Sequence, residues 1–255
     1  MMYKDLHFEY IKGNKPSKIK FVLLHGWGHS LQNLKPIAST LSDYDCYLID
    51  LPGFGESPQP DSVLSVSNYT DIVAYFIKTQ FSKDDKVYII GHSFGGRIGI
   101  YIGANYPDLI DGIFILAGAG LKKRKKLFHK LITTGARGLR ILYKTMGKDV
   151  MTSALYRKYY EKFASSDYKN AQPLMREILK KTVMENLAPI ARKVSLPTVL
   201  IYGENDNITP VYFGKKYHKL IKDSKFFILP TFDHTNILTA GNYQVSSIIL
   251  NNIKE

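Results

Sequence analysis

The sequence predicts an α/β fold: a mostly parallel sheet flanked by helices and interrupted by one inserted helical cap. Three observations carry this. Short apolar runs alternate with amphipathic stretches of helical period over the first 120 residues, as βαβ units require. From Leu121 to about Pro189 only helical periodicity is visible, and the alternation resumes at Pro197. The basic charge is concentrated in that interruption. Between Leu121 and Ser195 there are 19 Lys/Arg against 5 Asp/Glu, whereas the rest of the 255-residue chain carries 16 against 17. The core is therefore expected at 1–120 and 196–255, with the basic cap at 121–195.

Taken in order, the expected strands are Ile19 to Leu24, Cys46 to Ile49, Val87 to Ile90, Ile113 to Leu116, Thr198 to Tyr202 and Phe226 to Leu229. Each is a short apolar run of strand length. The expected helices are Leu31 to Leu41, Tyr69 to Phe81, Gly95 to Tyr106, Val211 to Ile221 and a last one from about Thr235 toward Ile249. These place apolar residues three and four apart. Within the cap, Gly135, Gly138, Gly147 and Pro173 divide the helical pattern into about four short pieces.

Composition narrows the class. Hydrophobic residues are 45% and charged residues 22%, which is ordinary for a globular chain and excludes fibrous and disordered classes. No apolar run approaches the roughly 18–20 residues that span a bilayer. The N-terminal Met1-Met2-Tyr3-Lys4-Asp5 has no basic-then-apolar stretch of a secretory signal. The single cysteine, Cys46, can form neither an internal disulfide nor a cysteine zinc cluster, so a cytoplasmic location is expected.

The strongest chemical signal is Gly91-His92-Ser93-Phe94-Gly95-Gly96, directly after an expected strand and directly before an expected helix. That is the setting of a nucleophile elbow. The turn is tight, the flanking residues must be small, and Ser93 projects at the start of a helix whose dipole favours negative charge. A serine needs a base. Of seven histidines, His234 lies in a short loop after the last strand, which in such a sheet is the edge where Ser93 emerges. The base needs a carboxylate to fix its tautomer. Asp206, just past the strand Thr198 to Tyr202, is favoured by the chain order Ser, Asp, His; Glu204 and Asp233 compete for the role. His25-Gly26-Trp27-Gly28-His29 follows the strand Ile19 to Leu24. The expected oxyanion donors are the amides of Trp27 and Phe94.

These motifs resemble the α/β-hydrolase superfamily, over a span from His25 to His234. Asp50-Leu51-Pro52-Gly53-Phe54-Gly55-Glu56-Ser57 resembles that family's D-x-P-G-x-G-x-S turn, and a helical cap after the strand ending near Ala117 is the family's habit. By motif and size the chain is similar to small capped carboxylesterases, including the pimeloyl-ester esterase of biotin synthesis, to carbon–carbon bond hydrolases and to monoacylglycerol lipases. It departs at Phe232-Asp233-His234, where many members have Gly before the histidine. Its short N-terminal stretch implies that one or two of the family's first strands are missing or abbreviated. Serine rather than aspartate at the elbow separates it from dehalogenases and epoxide hydrolases.

The resemblance and the residues together imply hydrolysis of a carboxylic ester or thioester through an acyl-enzyme, with no metal or organic cofactor. Two alternatives are a carbon–carbon hydrolase of a diketone acid and a non-catalytic small-molecule receptor that retains the triad. Candidates for lining the substrate pocket are His25, His92 and Arg97, with Leu127 and Leu131 on the cap; His92 and Asp50 also read as structural. Leu121 to Lys148 carries ten Lys/Arg and no acid, including the run Lys122-Lys123-Arg124-Lys125-Lys126. That segment reads as a solvated lid face, an anionic membrane surface or a site for an anionic substrate. No nucleic-acid motif accompanies it. Nothing in the sequence fixes the oligomeric state.

Overall fold

The computed structural model describes residues 6–122, 138–147, 149–150, 153–154, 168 and 171–253. The chain divides into two compact units, 1–121 with 177–255, and 122–176.

The first unit is a sheet with helices packed on it. Its elements in order are β1 (Phe8–Ile11), β2 (Ile19–Leu24), α1 (Lys35–Thr40), β3 (Asp45–Ile49), α2 (Val66–Gln80), β4 (Lys86–His92), α3 (Phe94–Asn105) and β5 (Gly112–Leu116). After the insertion come α4 (Pro173–Met184), α5 (Ala188–Ala191), β6 (Thr198–Gly203), α6 (Val211–Leu220), β7 (Ser224–Leu229) and α7 (Asn242–Leu250). Residues of α4 from Glu177 onward belong to this unit. The seven strands lie in the order β1-β3-β2-β4-β5-β6-β7. All neighbours are parallel except β1, which runs antiparallel to β3.

The central strands are buried on both faces. Leu23, Leu24, Ile89, Ile90, Ile115, Leu116, Leu200 and Ile201 are fully buried, which explains why they read as continuous apolar runs rather than as alternating ones. Each such side chain contributes about 1.5–3 kcal/mol by leaving water. α3 is buried from Phe94 to Gly103, so it is apolar on nearly every face, Arg97 being its one charged residue. α2 begins at Ser65, whose hydroxyl accepts the Asn68 amide, and buries one face that includes Tyr69, Val73 and Phe76.

The strand order turns back between β2 and β4: β3 lies on one side of β2 and β4 on the other. Beyond the carboxyl ends of strands at such a point a doubly wound sheet opens a crevice. Leu24 pairs with Gly91, His92 with Leu116, and Gly203 with Leu229. Those registers bring the loops after β2, β4, β5, β6 and β7 to one edge.

The structure differs from the sequence reading at two places. β1 was not expected. It is four residues at the sheet edge, half of them exposed, and too short for a period to show. The first unit also takes in 177–195, which the charge asymmetry groups with the cap. Here Leu187 and Ala191 are buried, the Leu187 amide donates to Gly120 O at 2.9 Å, and α5 packs against α3 and α6. In the second unit a helical run occupies 138–145. Among the described residues no helix is long and apolar enough to cross a membrane.

Candidate active site

β4 ends at His92 and α3 begins at Phe94, so a single residue, Ser93, makes the turn. Its φ of 49° and ψ of −100° lie outside the ordinary wells for an L-residue. The turn closes because its flanks have no side chains. A Cβ on Gly91 would lie 2.5 Å from Gly95 O, and one on Gly95 would lie 2.1 Å from Leu24 O. Backbone bonds fix the rest: Ser93 N donates to Leu116 O at 2.9 Å, Ala119 N to Ser93 O at 3.1 Å, and Gly95 N to His25 O at 3.0 Å.

Serine at this position ordinarily caps a helix, which is worth about 1 kcal/mol. Ser93 makes no such cap. Its Oγ lies 3.0 Å from His234 Nε2 instead. His234 Nδ1 lies 2.7 Å from Asp206 Oδ2. A carboxylate can only accept, so Nδ1 carries the proton and Nε2 presents a lone pair to the serine hydroxyl. The structure thus brings together the three residues that the sequence marks as nucleophile, base and acid. The base is 8% exposed and the acid 2%. Burial pushes the Asp206 carboxyl up, but the hydrogen bond and charge of His234 and the bonds from Thr209 outweigh it, leaving it below its ordinary value.

The competing carboxylates are engaged elsewhere. Asp233 accepts from the Thr235 and Asn236 amides at 2.9 and 2.8 Å, which lead into a 3₁₀ turn at Asn236–Leu238. Glu204 is exposed. Asp50 receives the amides of Leu31 and Glu56 at 2.7 and 3.0 Å and sits 2.8 Å from His7 Nδ1. It anchors the turn that carries Phe54.

Trp27 and Phe94 flank the serine through an aromatic chain. Trp27 meets Phe54 and Phe94 edge-on, with ring centroids 4.9 and 5.3 Å apart, and Phe94 meets Tyr69 in the same way at 5.1 Å. Among the described residues neither the Trp27 nor the Phe94 backbone amide finds an acceptor. For Phe94 the cause is its place at the start of α3, where the first amides of any helix lack intrahelical partners.

Three of the residues expected to line the substrate pocket are occupied by the scaffold. His25 donates from Nδ1 to Gly26 O at 2.7 Å and accepts the Leu51 amide at Nε2 at 3.0 Å. Burial lowers its pKa to about 4, so it is a neutral strut joining two loops. His92 is fully buried, and its Nε2–H donates to the His234 carbonyl at 2.8 Å. Burial and the neighbouring His234 hold it neutral, well below its ordinary value. Arg97 is 7% exposed and donates to Thr182 O and Glu185 O at 2.7 and 3.3 Å. Those carbonyls lie at the end of α4, where a cation is favoured, so the scaffold holds Arg97 there through its Nη1. Leu127 and Leu131 lie outside the described residues.

Sequence reasoning missed Thr209. Its hydroxyl lies 2.7 Å from Asp206 Oδ2, and its amide donates to Oδ1 at 2.8 Å. The available signal was Asp206-Asn207-Ile208-Thr209, a spacing at which an aspartate bonds the amides two and three residues on. Ile208 N also donates to Oδ1 at 2.7 Å. Among the described residues there is no cluster of three or more His, Cys, Asp or Glu able to hold a metal.

The arrangement can move a proton from Ser93 Oγ to His234 while Asp206 stabilises the resulting charge, which is the requirement for attack on an acyl carbon. Comparison with known proteins agrees with that chemistry. The family model for the alpha/beta hydrolase fold matches residues 20–240. A pimeloyl-[acyl-carrier protein] methyl ester esterase from Neisseria meningitidis is 24% identical over 88% of this chain and 90% of its own length. A 2-hydroxy-6-oxo-6-(2'-aminophenyl)hexa-2,4-dienoic acid hydrolase from Metapseudomonas resinovorans is also 24% identical, over 88% of this chain and 80% of its own. The solved structure of a lipase-esterase related protein from Clostridium acetobutylicum superposes with a TM-score of 0.71 at 26% identity, covering 98% of this chain and all of that one. This chain belongs to the α/β-hydrolase fold family.

Proposed function

We propose that the protein is a serine hydrolase that cleaves a small-molecule carboxylic ester or thioester through an acyl-enzyme. The observation that carries this reading is the line Ser93 Oγ to His234 Nε2 to Asp206 Oδ2, at 3.0 and 2.7 Å, built on a strained elbow whose serine forgoes its helix cap. Ser93 attacks the acyl carbon as its proton passes to His234 Nε2. Asp206 stabilises the imidazolium and keeps Nδ1 protonated. The amides of Trp27 and Phe94 receive the oxyanion, each worth roughly 3–4 kcal/mol in the transition state. His234 then protonates the leaving alcohol or thiol. Water, activated by the same imidazole, attacks the ester of Ser93 and releases the acid. Every step uses the chain's own groups and water.

The relatives named as a methyl ester esterase and a lipase-esterase related protein support an ester substrate. The relative named as a dienoic acid hydrolase keeps the carbon–carbon reading in view. That reading needs a cation for the substrate carboxylate; Arg97 holds its Nη1 on the carbonyls at the end of α4, and the arginines of the cap are the other candidates. For the basic insertion three readings stand: a solvated lid face, a surface for anionic membranes and a site for an anionic substrate. A cytoplasmic setting suits the single buried, free Cys46.

The test is turnover of an ester and thioester series of increasing acyl length, with Ser93→Ala as control. The expected result is a preference along the series and a loss of about 10³-fold or more in the variant. Turnover of a diketone acid with no ester in the series cleaved would select the carbon–carbon reading instead.

A further inference from the structure

We propose that Thr209 is a positioning residue of this site: its hydroxyl holds the Asp206 oxygen that faces His234, keeping the carboxylate aimed while charge builds on the imidazole. The proposal rests on the acyl-transfer reading above and adds a fourth side chain to it.

Thr209 is 2% exposed. Its Oγ1 lies 2.7 Å from Asp206 Oδ2, the same oxygen that His234 Nδ1 meets at 2.7 Å. It also lies 3.1 Å from Nδ1 itself and 2.8 Å from Ala117 O. With its amide on Oδ1 at 2.8 Å, Thr209 touches both oxygens of the carboxylate. The hydroxyl has one proton and two acceptors, Asp206 Oδ2 and Ala117 O. The carboxylate is charged and buried, so a hydrogen bond to it is the stronger of the two. Ala117 O is the fallback acceptor, and its placement is constrained. Ala117 turns at the end of β5 with a φ of 49°, a conformation that an alanine holds only when its surroundings impose it. The Ala117 amide is fixed at 2.8 Å to Ile201 O.

Removing the hydroxyl leaves His234 as the sole side-chain donor to Oδ2. The carboxylate then rotates more freely about its two amide bonds. Its undispersed charge also holds the imidazolium proton more tightly. The first effect lowers kcat. The second moves the acid limb of the pH profile upward. A purely structural role for Thr209 would change stability and leave that limb in place.

The experiment compares Thr209→Val, Thr209→Ala and Thr209→Ser with wild type on a soluble ester. It measures kcat, KM and the pH dependence of kcat/KM, with thermal unfolding recorded for each. Valine fills the threonine volume; alanine serves if valine does not fold. The expected result is a kcat lower by about 10- to 100-fold, as for loss of a hydrogen bond to a charged group. KM should change little, the acid limb should shift upward, and serine should restore most of the activity. A valine or alanine variant with wild-type kcat, or with an acid limb that stays in place or moves down, overturns the proposal. So does a serine variant as impaired as valine. Asp206→Asn, run alongside, separates the two layers. If Asp206→Asn is fully active, Asp206 is not the acid of the site, and the assignment on which the role of Thr209 rests fails with it. If it is inactive while Thr209→Val matches wild type, only the role of Thr209 is refuted.

Discussion

Three carboxylates compete in the sequence for the role of acid, and their surroundings decide among them. Asp206 meets His234 at 2.7 Å, Asp233 accepts the amides of Thr235 and Asn236, and Glu204 is exposed. Asp206→Asn is therefore expected to fold normally and to lose several orders of magnitude in ester turnover, because an amide favours the wrong histidine tautomer. Asp233→Asn and Glu204→Gln should stay within a few-fold of wild type; a dead Asp233 or Glu204 variant beside an active Asp206 variant would reassign the acid. His25 makes a different prediction. Its folded pKa of about 4 lies below the ordinary 6.5, so the unfolded chain takes up the proton first as pH falls. The stability from keeping it neutral is complete above pH 6.5 and is lost progressively toward pH 4. Between pH 6.5 and 5 this amounts to about 2 kcal/mol. His25→Asn should be less stable than wild type at pH 7 but lose less on acidification, as read by urea unfolding at pH 7 and 5. An equal loss in both proteins would sink this assignment.

At the level of elements, the nucleophile turn is where sequence and structure agree most closely, because its steric demand is severe. Gly91 and Gly95 are small for a backbone reason: a Cβ at Gly95 would meet the Leu24 carbonyl, which belongs to β2 and cannot move aside. Gly95→Ala is expected to cost about 3 kcal/mol or more, seen as a large drop in the urea midpoint. A change below about 0.5 kcal/mol would contradict the close approach. What the sequence does not reveal at this scale has physical causes. β1 is a short edge strand with every second residue exposed, so hydrophobic period gives no signal. Arg97 looks like a ligand for an anion until the fold places it under the last carbonyls of α4. The Thr209 amide is legible from its spacing after Asp206, but the place of its hydroxyl, between Asp206 Oδ2 and Ala117 O, depends on contacts that only the fold makes. The residues on strand ends could be read from order along the chain, and those defined by contacts between distant elements could not.

Over the whole chain, the net charge of +13 is placed unevenly, with an excess between Leu121 and Ser195 and a nearly neutral remainder. Most of the run Lys122 to Lys126 lies outside the described residues, so its role is set by experiment. If the excess meets anionic membrane, cosedimentation with vesicles should need acidic lipid and weaken with salt, since exposed charges are screened over about 8–10 Å at 0.1–0.15 M. Replacing Lys122, Lys123, Arg124, Lys125 and Lys126 by neutral residues should reduce that association and spare a short soluble ester. Equal binding to neutral and anionic vesicles would leave the run as a solvated surface. A KM raised only for anionic esters would make it a steering field for substrate.

The central claim is that Ser93, driven by His234 and Asp206, is the nucleophile of an acyl-transfer reaction. Its most direct test is covalent labelling by a fluorophosphonate probe, followed by peptide mass mapping. The expected outcome is one label per chain, located on Ser93, absent in Ser93→Ala and much slower in Asp206→Asn. Stoichiometric labelling of Ser93→Ala, or a label that maps to another residue, would contradict it.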